Sequence, residues 1–293
     1  MFVQQLFNAL VLGSVYALFA LGFTLTFGVL RVINLMYGFY FAAGAYLALF
    51  AVQELAVPLW GAVALGVVGS AVLGVVCDGL LLSRLRATKA PELSSLMVTL
   101  GGVLLFNSLM NLMFGAEVRR FPAGALSFEA ITLGPLRAAP IQFIIIAVVF
   151  VLVTAVFLFI ARTRIGAALR AVAERPDTAA LMGVNVGGIV GLTSGLSAAL
   201  AGGAGILVGL NLNAVQPYMG ESLMLRGFAV IIIGGLGDIR GALVAGLGLG
   251  LLEVMTAGYV SSTLKEAVAF SALILALWLR PGGLFGWASG KRA

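Results

Sequence analysis

The chain has no histidine, one cysteine and only three lysines, and long stretches of it carry no charge. Each absence removes a class of chemistry. Without histidine there is no imidazole to act as a general base, relay a proton or hold a metal. A single cysteine, Cys77, forbids an internal disulfide and any thiolate cluster, so no metal site is expected. A phosphate-binding loop of the form G-x-x-x-x-G-K-[ST] is also missing: Lys89 follows Thr88, Lys265 follows Leu264, and Lys291 precedes Arg292. No Ser/Lys or paired-Asp arrangement falls in an apolar segment either, which leaves no catalytic set to name.

What the chain does have is apolar surface. Mean hydropathy is +1.16, with 62% hydrophobic and 10% charged residues over 293 positions. Residues 1–30, 32–53, 55–77, 93–116 and 138–161 contain no Asp, Glu, Lys or Arg. A bilayer core about 30 Å thick needs about 20 helical residues at about 1.5 Å each, so every one of these runs is long enough to span it. They are apolar all round, without the dyad alternation of a membrane β-barrel. The reading is an all-α polytopic membrane helical bundle, a single transmembrane domain over 1–293. With no basic residue before Arg31, the first run reads as a retained span rather than a cleaved signal.

The net charge of +6 sets orientation and does not point to nucleic acid. Basic residues cluster at Arg84, Arg86 and Lys89; at Arg162, Arg164, Arg170 and Arg175; and at Lys291 and Arg292. With these regions cytoplasmic, spans fall at 5–28, 33–52, 59–82, 93–114, 141–161, 188–212, 223–236, 241–258 and 264–280. Twelve of 17 basic residues then lie inside, with the N-terminus outside and the C-terminus cytoplasmic. The segment 223–236 is short and carries Arg226, so eight or nine membrane segments are expected, at least one of them short or broken. Residues 115–140, with three prolines and an alternating piece at 126–133, form one long external loop. Glycines recur four apart (Gly187, Gly191, Gly195; Gly205, Gly209; Gly237, Gly241; Gly246, Gly250), a spacing that lets helices approach closely in lipid. The same spacing would also suit helices that slide during a transport cycle.

One fragment breaks the apolar pattern: "RAVAERPDTAALMGVNVGG", residues 170–188, with Arg170, Glu174, Arg175 and Asp177 within eight positions. Pro176 suits a first helical position, Asp177 the positive end of the helix dipole, and Gly183 the left-handed position that ends a helix. That predicts a helix of under two turns from about Pro176 to Met182, too short to persist in water unless something holds it. On physical grounds alone it is either an ordinary capped loop or a docking element.

The blocks "LGSVYALFALGFTLTFGVLRVINLMYG", "RTRIGAALRA", "RAVAERPDTAALMGVNVGGIVGLTSGLSAALAGGAGILVG", "IIIGGLGDIRGALVAGLGLGLLE" and "AVAFSALILALWLRPGGLFG" resemble, in order, the permeases of branched-chain amino-acid ABC transporters. The resemblance runs over nearly the whole chain. It implies an ATP-driven importer of the bacterial inner membrane in which this chain forms half of the translocation pathway. The implied partners are a second permease chain, related or identical, two cytoplasmic ATPase subunits and a periplasmic solute-binding protein. ATP and its magnesium would bind those ATPase subunits, and this chain would bind no cofactor. The short helix would be the coupling element gripped by an ATPase, within a cytoplasmic loop of about 162–187. Its role falls on Glu174, Arg175, Pro176, Asp177, Ala180, Leu181, Met182 and Gly183, with Leu181 and Met182 as apolar anchors and Arg175 and Asp177 as rim charges.

Polar residues inside spans are costly and mark candidate pathways. Asn34, Tyr37 and Tyr40 stand near the second span, and Asn107 and Asn111, four apart, share a helix face. They are read either as a translocation path or as helix–helix hydrogen bonds. Glu253 is read as a buried ion pair with Arg226, and Asp78 as a partner of nearby Arg84. Many relatives carry His-Gly-Glu where this chain has Tyr37-Gly38-Phe39, which leaves urea, short amides and aromatic acids open as alternative cargo. An ion-coupled secondary transporter is the rival of a different class, and Glu253 is the residue that speaks for it.

Overall fold

The computed structural model describes residues 2–30, 32–88, 91–122, 131–133, 136–280 and 282–285. Arg31, Lys89, Lys291 and Arg292, used above to set orientation, lie outside the described residues. The helices are α1 (Phe2–Leu30), α2 (Tyr37–Gln53), α3 (Leu59–Cys77), α4 (Ser83–Ala87), α5 (Glu92–Phe114) and α6 (Pro140–Arg162). They continue as α7 (Arg164–Glu174), α8 (Pro176–Leu181), α9 (Val186–Leu212), α10 (Met219–Gly234), α11 (Ile239–Tyr259) and α12 (Lys265–Leu279). A π-helical turn, Asp78–Leu82, joins α3 to α4. In the expected external loop, β1 (Ile131–Leu133) pairs antiparallel with β2 (Leu136–Ala138), Thr132 opposite Arg137.

Among the described residues six helices are long and apolar enough to cross a bilayer: Phe2–Leu30, Leu59–Arg86, Leu93–Phe114, Pro140–Arg162, Val186–Leu212 and Ile239–Tyr259. The shorter apolar helix α2 has 17 residues, and α10 and α12 have 16 and 15. At about 1.5 Å per residue each falls short of a core about 30 Å thick. Length alone therefore does not reach the expected eight or nine segments, and it does supply short helices.

The chain divides into two compact units. The first draws on segments 25–126 and 154–224, and its centre is the packing of α2, α3 and α9. Small residues make that packing close. A Cβ on Gly205 would collide with the Phe41 carbonyl, one on Gly44 with the backbone of Gly202, and one on Gly66 would stand 2.8 Å from the Gly44 oxygen. Lipid tails are as apolar as leucine, so association here comes from van der Waals contact at short range. Thr26 of α1 pairs with Ser197 of α9, while Ser70 Oγ turns back within α3 and donates to the Gly66 carbonyl at 2.8 Å. Of the glycines read from spacing, Gly195, Gly205 and Gly209 pack on neighbours, whereas Gly191 faces open space. The loop after α9 is pinned by the bridge Arg119–Val215 and by Asn213 Oδ1, which accepts from the Phe121 amide at 3.0 Å.

In the same unit Asp78 pairs with Arg86 and not with Arg84. Arg86 Nη1 and Nη2 donate to the two carboxylate oxygens at 2.8 and 2.6 Å, while Arg84 is exposed. The π turn explains the correction. It inserts one extra residue, so position i+8 returns to the face that i+7 occupies in an unbroken α-helix.

The second unit draws on segments 1–24, 127–153 and 225–293. There α1 and α11 meet through Gly13, Gly246 and Gly250, with Gly246 against Ala17 and Gly250 against Gly13. The strand pair is tied to α1 by Gln4, which exchanges two hydrogen bonds with the Arg137 backbone at 2.8 and 2.9 Å. Asp238 caps α11, accepting from the amides of Arg240 and Gly241 at 2.7 and 2.9 Å.

The glycine contacts make opposite predictions for two positions on one helix. Gly205→Val overpacks α9 against α2 and should destabilise the purified chain by about 1–3 kcal/mol. Gly191→Ala meets nothing and should be neutral or stabilising by about 0.5–1 kcal/mol. Thermal unfolding in detergent compares them, and equal effects would contradict this packing.

Candidate functional site

The charged fragment folds as two short helices. Thr163 caps α7, its hydroxyl accepting from the Gly166 amide at 2.9 Å, and Gly166 packs on the carbonyls of Phe159 and Ile160. After the extended Arg175, Pro176 opens α8 as its first residue. The helix closes in a Schellman motif: Val184 N–H donates to the Ala179 carbonyl at 3.1 Å and Gly183 N–H to that of Ala180 at 3.0 Å. Gly183 takes φ +84°, the left-handed conformation the sequence pattern anticipates.

One face of this segment is buried and the other is not. Leu169, Val172 and Ala179 form an apolar cluster with Val29 of α1 and Val190 of α9, and Val184 packs against it. All eight residues read as coupling residues, Glu174, Arg175, Pro176, Asp177, Ala180, Leu181, Met182 and Gly183, are exposed. Leu181 and Met182 are 88% and 81% exposed. If this face meets water, an uncovered leucine and methionine forgo about 1.5–3 kcal/mol each of burial energy.

The candidate path residues sit in the first unit. Asn34, Tyr37, Tyr40 and Asn107 are buried, and Asn111 is half-buried. Asn34 Oδ1 accepts from the Met36 amide at 3.0 Å, fixing the entry to α2. Tyr37 and Tyr40 are packed within the bundle, 1% and 3% exposed. Asn107 does something else. Its Nδ2 donates to Glu221 Oε1 at 2.9 Å, and its Oδ1 is buried with no hydrogen-bond partner. An unmade hydrogen bond of a buried acceptor costs about 1–3 kcal/mol. Glu221, in the first turn of α10, was missed from sequence; the signal was an acid directly after Gly220 at the start of a short apolar segment. Phe39 stacks on Phe106 with ring centroids 4.7 Å apart.

In the second unit Arg226 Nε lies 3.4 Å from Glu253 Oε1. Two residues not singled out from sequence join them. Tyr16 donates to Glu253 Oε2 at 2.7 Å and accepts from Arg226 Nη1 at 3.1 Å, while Arg226 Nη2 donates to Glu266 Oε1 at 2.9 Å. Glu253 is 2% exposed, with Tyr16 on one carboxylate oxygen and Arg226 3.4 Å from the other. No group of three or more potential metal ligands occurs among the described residues.

Residues 5–277 match the family described as branched-chain amino acid transport system / permease component. The chain belongs to that family. Its relatives include the high-affinity branched-chain amino acid transport system permease protein LivH of Escherichia coli K12, 31% identical over 97% of this chain and 96% of the relative. LivH of Salmonella typhimurium is 30% identical with the same coverage, and BraD of Pseudomonas aeruginosa 31%, also over 97% and 96%. No solved structure matches the chain.

For this permease the Arg226 cluster makes a stability prediction. Breaking a buried ion pair strands its partner, so Glu253→Gln should lower unfolding stability by about 3–5 kcal/mol. The double replacement Arg226→Met, Glu253→Gln should recover part of that loss. Additive losses across the cycle, read by thermal unfolding in detergent, would show that the pair is not coupled.

Proposed function

We propose that this chain is the transmembrane permease subunit of an ATP-driven ABC importer, forming half of the translocation pathway for branched-chain amino acids. It would cross the bacterial inner membrane eight or nine times, its short helices completing crossings in contact with protein, with the C-terminus cytoplasmic. Its partners would be a second permease chain, two cytoplasmic ATPase subunits that hold ATP and magnesium, and a periplasmic solute-binding protein. Family membership along almost the whole chain supports this reading, as do the relatives' names.

The observation that carries the mechanism is the two-faced α7–α8 segment. Its buried face is fastened to Val29 and Val190, at the ends of α1 and α9, while its outer face leaves Leu181 and Met182 uncovered. A partner gripping the outer face would pull directly on α9, and through α9 on α2 and α3. The lever is short and held by an apolar cluster, so it moves as a unit with the helices it touches. Glu253, the residue that spoke for an ion-coupled transporter, is engaged by Tyr16 and Arg226, which favours the ATP-driven reading.

The test pairs uptake with assembly. Leu181→Ser together with Met182→Ser should abolish ATP-dependent leucine uptake in cells that supply the ATPases and binding protein, and should stop the ATPases co-purifying. The variant chain should unfold at the native temperature, because neither side chain is packed in the isolated chain. Native uptake by this double variant would remove the coupling role. Uptake that persists without ATP under an imposed ion gradient would favour the secondary transporter.

A further inference from the structure

We propose that the junction between the first turns of α2 and α10 is a binding site for the zwitterionic head of an α-amino acid. Glu221 and Asn107 would receive the ammonium, and the first-turn amides of the two helices the carboxylate. The proposal rests on the permease reading and names where in the chain the cargo is held.

Both helices are short, at 17 and 16 residues, and they begin against each other. A Cβ on Gly38 would stand 3.0 Å from the Gly220 oxygen, and one on Gly220 would collide with the Gly38 carbonyl. The Tyr37, Tyr40, Met219 and Glu221 amides donate to the carbonyls of Asn34, Met36, Gln216 and Tyr218, so the carboxylate would fall to the amides of Gly38, Phe39, Gly220 and Ser222; each helix start carries a partial positive charge of roughly +0.5. Half-helix starts meeting in a transporter are suited to anionic groups of cargo.

Asn107 supplies the independent observation. It is 4% exposed, and its Nδ2 is committed to Glu221 Oε1 at the start of α10. Its Oδ1 is a buried acceptor without a donor, held beside that carboxylate. Two acceptors side by side, one of them charged, call for a ligand with several N–H donors, and an ammonium has three. Met36, Phe39, Phe106 and Met224 lie around the same turns and offer apolar surface to an aliphatic side chain.

The charge balance narrows the ligand class. Two helix starts sum to roughly +1, and Glu221 offsets them, so the junction is close to neutral. A zwitterion enters with no net charge and finds a partner for each end. A carboxylic acid without the amine leaves Asn107 unsatisfied and adds an unbalanced anion, and an amine without the carboxylate leaves the helix starts unmatched. Urea has N–H donors and a carbonyl acceptor but no charge to set against either the helix starts or Glu221. In this structure the two first turns touch, so binding parts α10 from α2.

The full chain in lipid nanodiscs, probed by saturation-transfer NMR, tests this with L-leucine, 4-methylpentanoate, leucinamide and urea. Leucine alone should show transfer. Glu221→Gln and Asn107→Ala should each weaken leucine binding by at least about tenfold, Glu221→Asp should restore part of it, and Glu54→Gln, on an exposed residue at the end of α2, should bind as the native chain does. Native leucine binding in Glu221→Gln, binding of 4-methylpentanoate or urea as tight as that of leucine, or no transfer to the native chain would each overturn the proposal. If Glu221→Gln does not fold, Asn107→Ala and Glu221→Asp decide by the same criteria. Uptake by the full assembly separates the two readings: uptake that survives Glu221→Gln retires this site alone, whereas no uptake by the native assembly retires the permease reading.

Discussion

Where α9 crosses α2, Gly205 lies against the Phe41 carbonyl and Gly202 against Gly44, with no side chain between the two backbones. In lipid there is no hydrophobic drive to hold helices together, so contact at this range does the holding. It also limits what can move. Helices this close cannot rotate independently without collision, and α2, α3 and α9 therefore behave as one body. Asn34 fixes how the chain enters α2.

Both ends of that body touch a further element. At the start of α9, Val190 joins the cluster under α7 and α8. At the start of α2, Gly38 meets Gly220 of α10. A displacement imposed on the exposed lever would thus reach the α2–α10 junction through a single stiff element, without relying on a diffuse network. The economy of charge fits this arrangement. The buried acids Asp78 and Glu253 are both engaged, Asp78 with Arg86 and Glu253 with Tyr16 and Arg226.

The lever was legible because local rules specify it. Pro176 at a first helical position and Gly183 at the left-handed position are decided within a few residues, and the structure has both. Contacts between distant residues were not legible in the same way. Asn107 and Glu221 are 114 positions apart, and nothing local links an amide in one helix to an acid at the start of another. Asp78 was matched to the wrong arginine because a π turn changes the helical count, and no residue pattern announced it. The glycine spacing overstated packing at Gly191 and overlooked Gly44, Gly66 and Gly202, whose partners lie on other helices. The segment count stayed open for a related reason: α2, α10 and α12 have the composition of spans and lack the length.

The π turn at Asp78–Leu82 has a consequence of its own. One surplus residue in a helix rotates everything beyond it by about 100° relative to an unbroken α-helix. Such a surplus can travel along a helix as a dislocation travels through a crystal, turning one end against the other without any rupture of the rod. The Arg86 fork on Asp78 clamps the dislocation where it now sits. The face that the end of this long apolar helix presents is therefore set by where one surplus residue sits and by the ion pair beside it.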